Sequence, residues 1–165
     1  MRTAHLILST LMILTLALSG CGPRIPRDVV GQVTWDGDFR TLQANPAEYQ
    51  NEFVTFGGRI INTENFEDHA EITVLQYPLD HANRPRMDRE SEGRFIVVSD
   101  SFLDPEVYAR GKMLTVAGRV TGSERRSIGN FQYDHPIIEG ETWVWEPRTG
   151  VSPRFGFGVG IGKTF

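Results

Sequence analysis

Two seven-residue stretches sixty positions apart, Val54-Thr55-Phe56-Gly57-Gly58-Arg59-Ile60 and Leu114-Thr115-Val116-Ala117-Gly118-Arg119-Val120, match in residue class at every position. Asn62-Thr63-Glu64 is echoed in turn by Gly122-Ser123-Glu124. Both stretches have strand composition, yet each carries glycine in its interior, where glycine weakens a strand unless the strand must bend or lie against another backbone. Two strands with the same bend point to a curved sheet that closes on itself rather than a flat one.

The remaining elements fit that closure. Strand one is expected over Phe53–Ile61 and strand two over Ala70–Leu75, where Ile72, Val74 and Gln76 face one way and Thr73 and Leu75 the other. Pro78 ends it, residues 79–93 form a charged loop, and Arg94–Val98 is strand three. Asp104-Pro105 followed by Gly111 has the cap, first-turn proline and terminal glycine of a short helix. Lys112–Thr121 is strand four. Thr142–Trp145 is strand five, with Pro136–Ile138 in the same strand or its partner. The fold class is therefore all-β, a small five-stranded OB-like Greek-key barrel with one short helix between strands three and four. The competing layout is an open antiparallel sheet with a helix on one face. Before strand one the pattern is mixed, with a turn at Trp35–Asp38 and one helical turn at Pro46–Tyr49.

At the N-terminus, Arg2 and His5 precede an uncharged apolar run, Leu6–Leu18, which ends in Ser19-Gly20-Cys21. This is the build of a secretory signal peptide. The run is too short to span a bilayer, which takes about 20 apolar residues, and Gly22-Pro23 breaks a helix. Leu18-Ser19-Gly20-Cys21 resembles the lipobox of bacterial lipoproteins, in which the cysteine is acylated and becomes the new N-terminus. It also accounts for a lone cysteine in an oxidising compartment. In that sorting scheme aspartate after the cysteine retains a protein in the inner membrane. Here the residue is Gly22, so the expected address is the outer membrane, facing the periplasm.

The expected organisation is a signal peptide (1–20), a lipidated tether (21–28), the barrel (29–148) and a Gly-rich tail (149–165). Removing residues 1–20 leaves 145 residues, and only Arg2 among the charges goes with them, so 16 basic face 21 acidic side chains, about −5. Such a surface repels polyanions and argues against nucleic acid as partner. Attachment to the membrane then rests on acyl chains, each buried CH₂ contributing ~0.8 kcal/mol.

Tyr77-Pro78-Leu79-Asp80, Arg84-Pro85, Asp88, Ser91 and Gly93-Arg94-Phe95-Ile96, followed by Phe102-Leu103-Asp104-Pro105, Tyr108 and Gly111, give the chain a resemblance to the Slp family. These are outer-membrane lipoproteins named for induction on starvation. The resemblance runs from the lipobox through Trp145. It implies location, fold and a starvation or stress connection, and brings no catalytic residue with it. The tail, Arg154–Gly162, departs from the pattern.

No cofactor is expected. His69, His81 and His135 lack ligand spacing, so no metal site is read from them. Asp80, Asp88, Glu90 and Glu92 in the 79–93 loop invite the reading of an envelope glycan hydrolase, which needs two carboxylates flanking a glycosidic bond. Arg84, Arg86, Arg89 and Arg94 supply ion pairs that explain the same residues structurally, and a non-enzyme is favoured. For binding, Tyr77, Arg84, Arg94, Phe131, Tyr133, Trp143 and Trp145 are the candidates, aromatic and cationic groups suited to an envelope polysaccharide or protein. Trp143 and Trp145 share a face and could equally be packed. Phe155, Phe157, Val159 and Ile161 alternate with glycine, so one side of an extended tail could add to a sheet edge or lie on a membrane protein, but a flexible glycine-rich end is the favoured reading in the isolated protein.

Overall fold

The computed structural model describes residues 25–146. The lipobox and the tail lie outside them. Five strands, β1 (Phe53–Asn65), β2 (Ala70–Gln76), β3 (Gly93–Ser99), β4 (Met113–Ile128) and β5 (Phe131–Trp145), close into a ring in the order β1-β2-β3-β5-β4. All neighbouring pairs are antiparallel except β3–β5, a short parallel contact over Ile96–Val98 and Ile137–Glu139. β1, β4 and β5 run longer than the sequence pattern indicates, because their polar ends carry no apolar alternation while still pairing.

β1 reaches around the ring by serving two partners. Phe53–Arg59 pairs with β4 and Gly58–Asn65 with β2. The transfer happens at Gly58, where a Cβ would run into the Leu75 carbonyl, and a register shift follows between Ile60 and Asn62. Gly118 is its equivalent. It faces Gly140, a Cβ there would strike the Glu139 carbonyl, and a register shift follows between Val120 and Gly122. Both glycines are thus close backbone crossings, as closure requires.

Inside the ring, Val54, Ile60, Ile72, Val74, Phe95, Val97, Leu114, Val116 and Ile138 are fully buried. One end is plugged by α2 (Phe39–Ala44), whose Phe39 meets Phe56 and Phe95 at centroid distances of 5.2 and 5.8 Å. The sequence reading missed this helix, although Asp38 caps it, accepting from the Thr41 N–H (2.9 Å) and hydroxyl (2.8 Å). A 3₁₀ turn follows at Pro46–Tyr49, as expected. Ahead of it α1 (Arg27–Val30) packs Val29, together with Ile25, against Ala117 and Trp143, while Pro26, Arg27 and Asp28 stay exposed.

The helix expected between strands three and four is a correction. Asp104–Gly111 forms one capped turn only, with the Asp104 carbonyl accepting from Val107 (3.0 Å) and Tyr108 (2.9 Å). Thr63 Oγ1 then takes the Tyr108 carbonyl (2.9 Å), and the Gly111 N–H donates to Ile60 (2.9 Å) at φ +93°. These bonds draw the chain sideways onto β1, so the turn cannot propagate.

The outer half of the β4–β5 hairpin is tied down by charge. Arg126 donates to the buried Glu71 (2.7 Å) and to Glu124 (2.6 Å), and Arg125 pairs with Asp134 (2.7 Å). Beneath them His135 is buried, its Nδ1–H donating to the Tyr133 carbonyl (3.0 Å). Burial, with the charges of Arg126 and Arg94, holds its pKa below the ordinary value of 6.5. The unfolded chain therefore binds this proton first, and the contribution of neutral His135 is complete above pH ~6.5 and lost as pH falls towards the folded-state pKa. His69 has the opposite sign, its pKa raised by a hydrogen bond to Asp68.

Two predictions follow from this packing. Gly58→Val and Gly118→Val should each cost about 1–3 kcal/mol by overpacking. Gly122→Val, where a Cβ meets nothing within 4 Å, should be neutral or up to ~1 kcal/mol stabilising. Urea midpoints at unchanged slope measure all three. In the same assay His135→Gln should lose less stability than the wild type between pH 7 and 5.

Candidate functional site

The segment Tyr77–Glu92, between β2 and β3, lies across the outside of the β1–β4 seam. It fits there because Gly57 presents no side chain: a Cβ would meet Leu79 Cδ2 at 2.9 Å and Pro85 Cγ at 3.0 Å. The segment is folded on itself by Asp80, whose Oδ1 accepts from the N–H groups of Ala82 (2.8 Å) and Arg84 (2.9 Å). Asn83 turns the chain at φ +58°, a conformation asparagine tolerates. A short relay pins it to the ring. The Trp145 indole N–H donates to Thr115 Oγ1 (2.9 Å), and that hydroxyl donates to the Asn83 carbonyl (2.6 Å). Arg84 adds a second tie, lying 5.5 Å from the Trp145 ring centroid and donating to the Glu146 carbonyl (2.7 Å).

Roofing the seam in this way leaves a cleft on each side. The outer one, about 620 Å³, is lined by Asp80, Arg84, Arg86, Met87, Asp88 and Lys112. Its charges are largely internal pairs. Arg86 and Asp88 meet at 2.8 Å, and this bond holds the Asp88 carboxyl below its ordinary range. The inner cleft, about 520 Å³, runs between α1, the Trp35–Gly37 turn and the underside of the crossing segment, and is lined by Val30, Trp35, Thr55, Phe56, Leu79 and Asn83 among others. Trp35 is packed there, with Tyr49 at 4.8 Å and Phe56 at 6.2 Å between ring centroids.

The binding residues picked from sequence are not gathered in one place. Arg84 and Trp145 meet as described. Trp143 is half-buried against Ile25, Val29 and Ala117, on the same outer face as Trp145 but under α1. Tyr133 and Arg94 meet elsewhere, the Tyr133 hydroxyl accepting from the Arg94 N–H (3.0 Å) and locking β3 to β5. Tyr77 extends the ladder through its N–H to the Gly57 carbonyl (2.9 Å). Phe131 is 80% exposed at the tip of the β4–β5 hairpin. The residues that sequence reasoning missed are Trp35, Thr55 and Asn83. The clue available for Trp35 was an aromatic placed in a turn rather than in a strand.

For catalysis two of the four loop carboxylates are already engaged, Asp80 by backbone N–H groups and Asp88 by Arg86. Among the described residues no cluster of His, Cys, Asp or Glu could hold a metal ion. Asp80→Ala should therefore loosen the crossing segment and cost about 1–2 kcal/mol, whereas Asp80→Asn, whose side-chain oxygen still accepts, should retain most of that stability. Thermal or urea unfolding of the two variants measures the difference.

Comparison with known proteins adds location to this geometry. Residues 18–156 match the family described as "Outer membrane lipoprotein Slp family". The chain is 31% identical over 125 residues to the lipoprotein YeaY of Escherichia coli (strain K12), covering 75% of this chain and 64% of that protein. A protein of Haemophilus influenzae is 31% identical over 58% of this chain and 53% of its own length. The aligned parts thus span under two thirds of these two relatives. Outer membrane protein Slp of E. coli K12 is 28% identical over 94% of this chain and 81% of that protein. Among solved structures, Schizosaccharomyces pombe Pot1pC bound to single-stranded DNA aligns at a TM-score of 0.33 and 11% identity, over 61% of this chain and 84% of that one, too loose a likeness to carry an argument. With the family match running from Leu18, inside the lipobox, past the end of β5, this chain belongs to the Slp family of outer membrane lipoproteins.

Proposed function

We propose that the protein is held at the outer membrane by acyl chains on Cys21 and acts there as a non-catalytic binding module facing the periplasm. The ring of strands is read as an OB-type barrel, since the order β1-β2-β3-β5-β4 with a single parallel contact between β3 and β5 is the connectivity of that fold. The observation that carries the reading is the family match, which takes in Leu18–Cys21 together with the whole ring. Among the described residues no helix is long and apolar enough to cross a membrane. A binding role is favoured over hydrolysis because the clefts are built by a pinned segment in which Asp80 and Asp88 serve the fold. Retaining glycosidases need two carboxyl groups about 5–5.5 Å apart with one pKa raised, and Asp88 is instead held low by Arg86.

The packed chain begins by Ile25, and four residues span at most about 14 Å, so the barrel stands close to the bilayer with α1 towards it. Cys21→Ser should abolish acylation and leave an unprocessed precursor or a soluble periplasmic form. Intact-mass measurement of the wild type without acyl mass on Cys21 would overturn the anchor.

A further inference from the structure

We infer that the inner cleft is the ligand site and that it takes a neutral saccharide unit of an envelope glycan. This rests on the binding-module reading above and gives it a place and a chemistry. At about 520 Å³ the cleft lies within the range of small-ligand sites, about 300–1,000 Å³. Val30, Trp35, Phe56 and Leu79 give it an apolar, partly aromatic wall, and Thr34, Asp36, Thr55 and Asn83 give it hydrogen-bonding groups, the Asp36 carboxylate suited to accept from sugar hydroxyls. Among the described residues no lysine, arginine or histidine lines it and Asp36 does, so a phosphate- or sulfate-bearing ligand would find no counter-charge there. An apolar chain would leave the polar groups unused. A pyranose ring has an apolar face for the aromatic wall and hydroxyl or acetamide groups at its edge.

Thr55 is the independent observation. Its hydroxyl is buried without a hydrogen-bond partner, the one such side-chain atom among the described residues. A buried unpaired polar group is costly and calls for a reason. The fold does not impose it. Thr115, the equivalent of Thr55 in the internal echo, is doubly bonded to Trp145 and Asn83. A χ1 rotation of about 120° carries the Thr55 hydroxyl to the position its methyl now holds, where a ligand on the cleft floor can pair with it. The Asn83 side-chain amide likewise makes no hydrogen bond among the described residues, while its backbone is held by Asp80 and Thr115.

Two variants test the site without threatening the fold. Thr55→Val is nearly isosteric and removes an unpaired hydroxyl, so the urea midpoint should hold or rise. Asn83→Gly suits the positive φ and keeps the backbone bonds. With N,N′-diacetylchitobiose and cellobiose as probes, followed by tryptophan fluorescence and by amide shifts of residues 35, 55 and 83, the wild type should bind at least one. Each variant should bind it about tenfold more weakly, the loss of one hydrogen bond. Absence of any shift with either sugar at 10 mM, equal affinity in the variants, or tighter binding of a sulfated saccharide than of the neutral ones would overturn the assignment. Retrieval of the same envelope component by wild type and both variants, with no sugar bound, would remove the cleft assignment while leaving the binding module standing. Retrieval of nothing, with the sugars also unbound, would remove both.

Discussion

The close backbone approach at Gly58 and Gly118 is the constraint on which the rest depends. With any side chain at Gly58, β1 could not pass from its β4 partner to its β2 partner, because the Leu75 carbonyl occupies that space. The two echo stretches also pair with each other. Val54 faces Gly118 and Gly58 faces Leu114, so each contact is the image of the other about a local two-fold between Phe56 and Val116. The register shifts after Ile60 and after Val120 repeat the relation. The repeat in sequence is therefore a symmetric antiparallel pair at the heart of the ring, and each half bends where the other needs room.

The proposed site lies where that symmetry breaks. Gly57 corresponds to Ala117, a difference of one methyl. The bare outer surface at Gly57 accepts Leu79 and Pro85 of the crossing segment, whereas the Ala117 methyl is covered by Ile25 and Val29 of the N-terminal segment. Different covers over equivalent halves leave an uneven seam, and the inner cleft is that seam. Thr115 is used to pin the cover. Thr55, its equivalent, is left over.

Closure was legible in the sequence because it is enforced locally, by glycine inside apolar strands and by period-2 alternation in β2, whose Ile72, Val74 and Gln76 are buried as read. The short helix before β4 was misread because a capping signature reports what a segment favours alone. It cannot report that Thr63 and Ile60 would take the turn's backbone groups. The helical plug α2 was missed for the converse reason: six residues with two buried side chains make too short a pattern to register. The aromatic and cationic residues chosen for binding turned out dispersed because Trp145, Arg84 and Tyr133 look the same in sequence whether they face a ligand or tie one segment to another. Only three-dimensional placement separates Trp145, spent on Thr115, from Trp35, which lines a cleft. The glycine-alternating tail lies outside the described residues.

The anchor and the cleft share one element. α1 sends Val29 into the packing with Ala117 and contributes Val30 to the wall of the cleft, while the acyl position proposed at Cys21 lies six residues before the start of that helix. On the proposed anchor, so short a connection would hold α1 near the bilayer surface, and the cleft with it. A polymer reaching the proposed site would then run alongside the membrane instead of approaching end-on, since lipid would lie on the side of the connection. The acidic balance of the mature chain works in the same direction. It discourages the rest of the surface from lying flat on anionic head groups, by repulsion that extends about 8 Å at physiological ionic strength, so the ring, if held by its lipid alone as proposed, would keep its flank open to a neutral glycan.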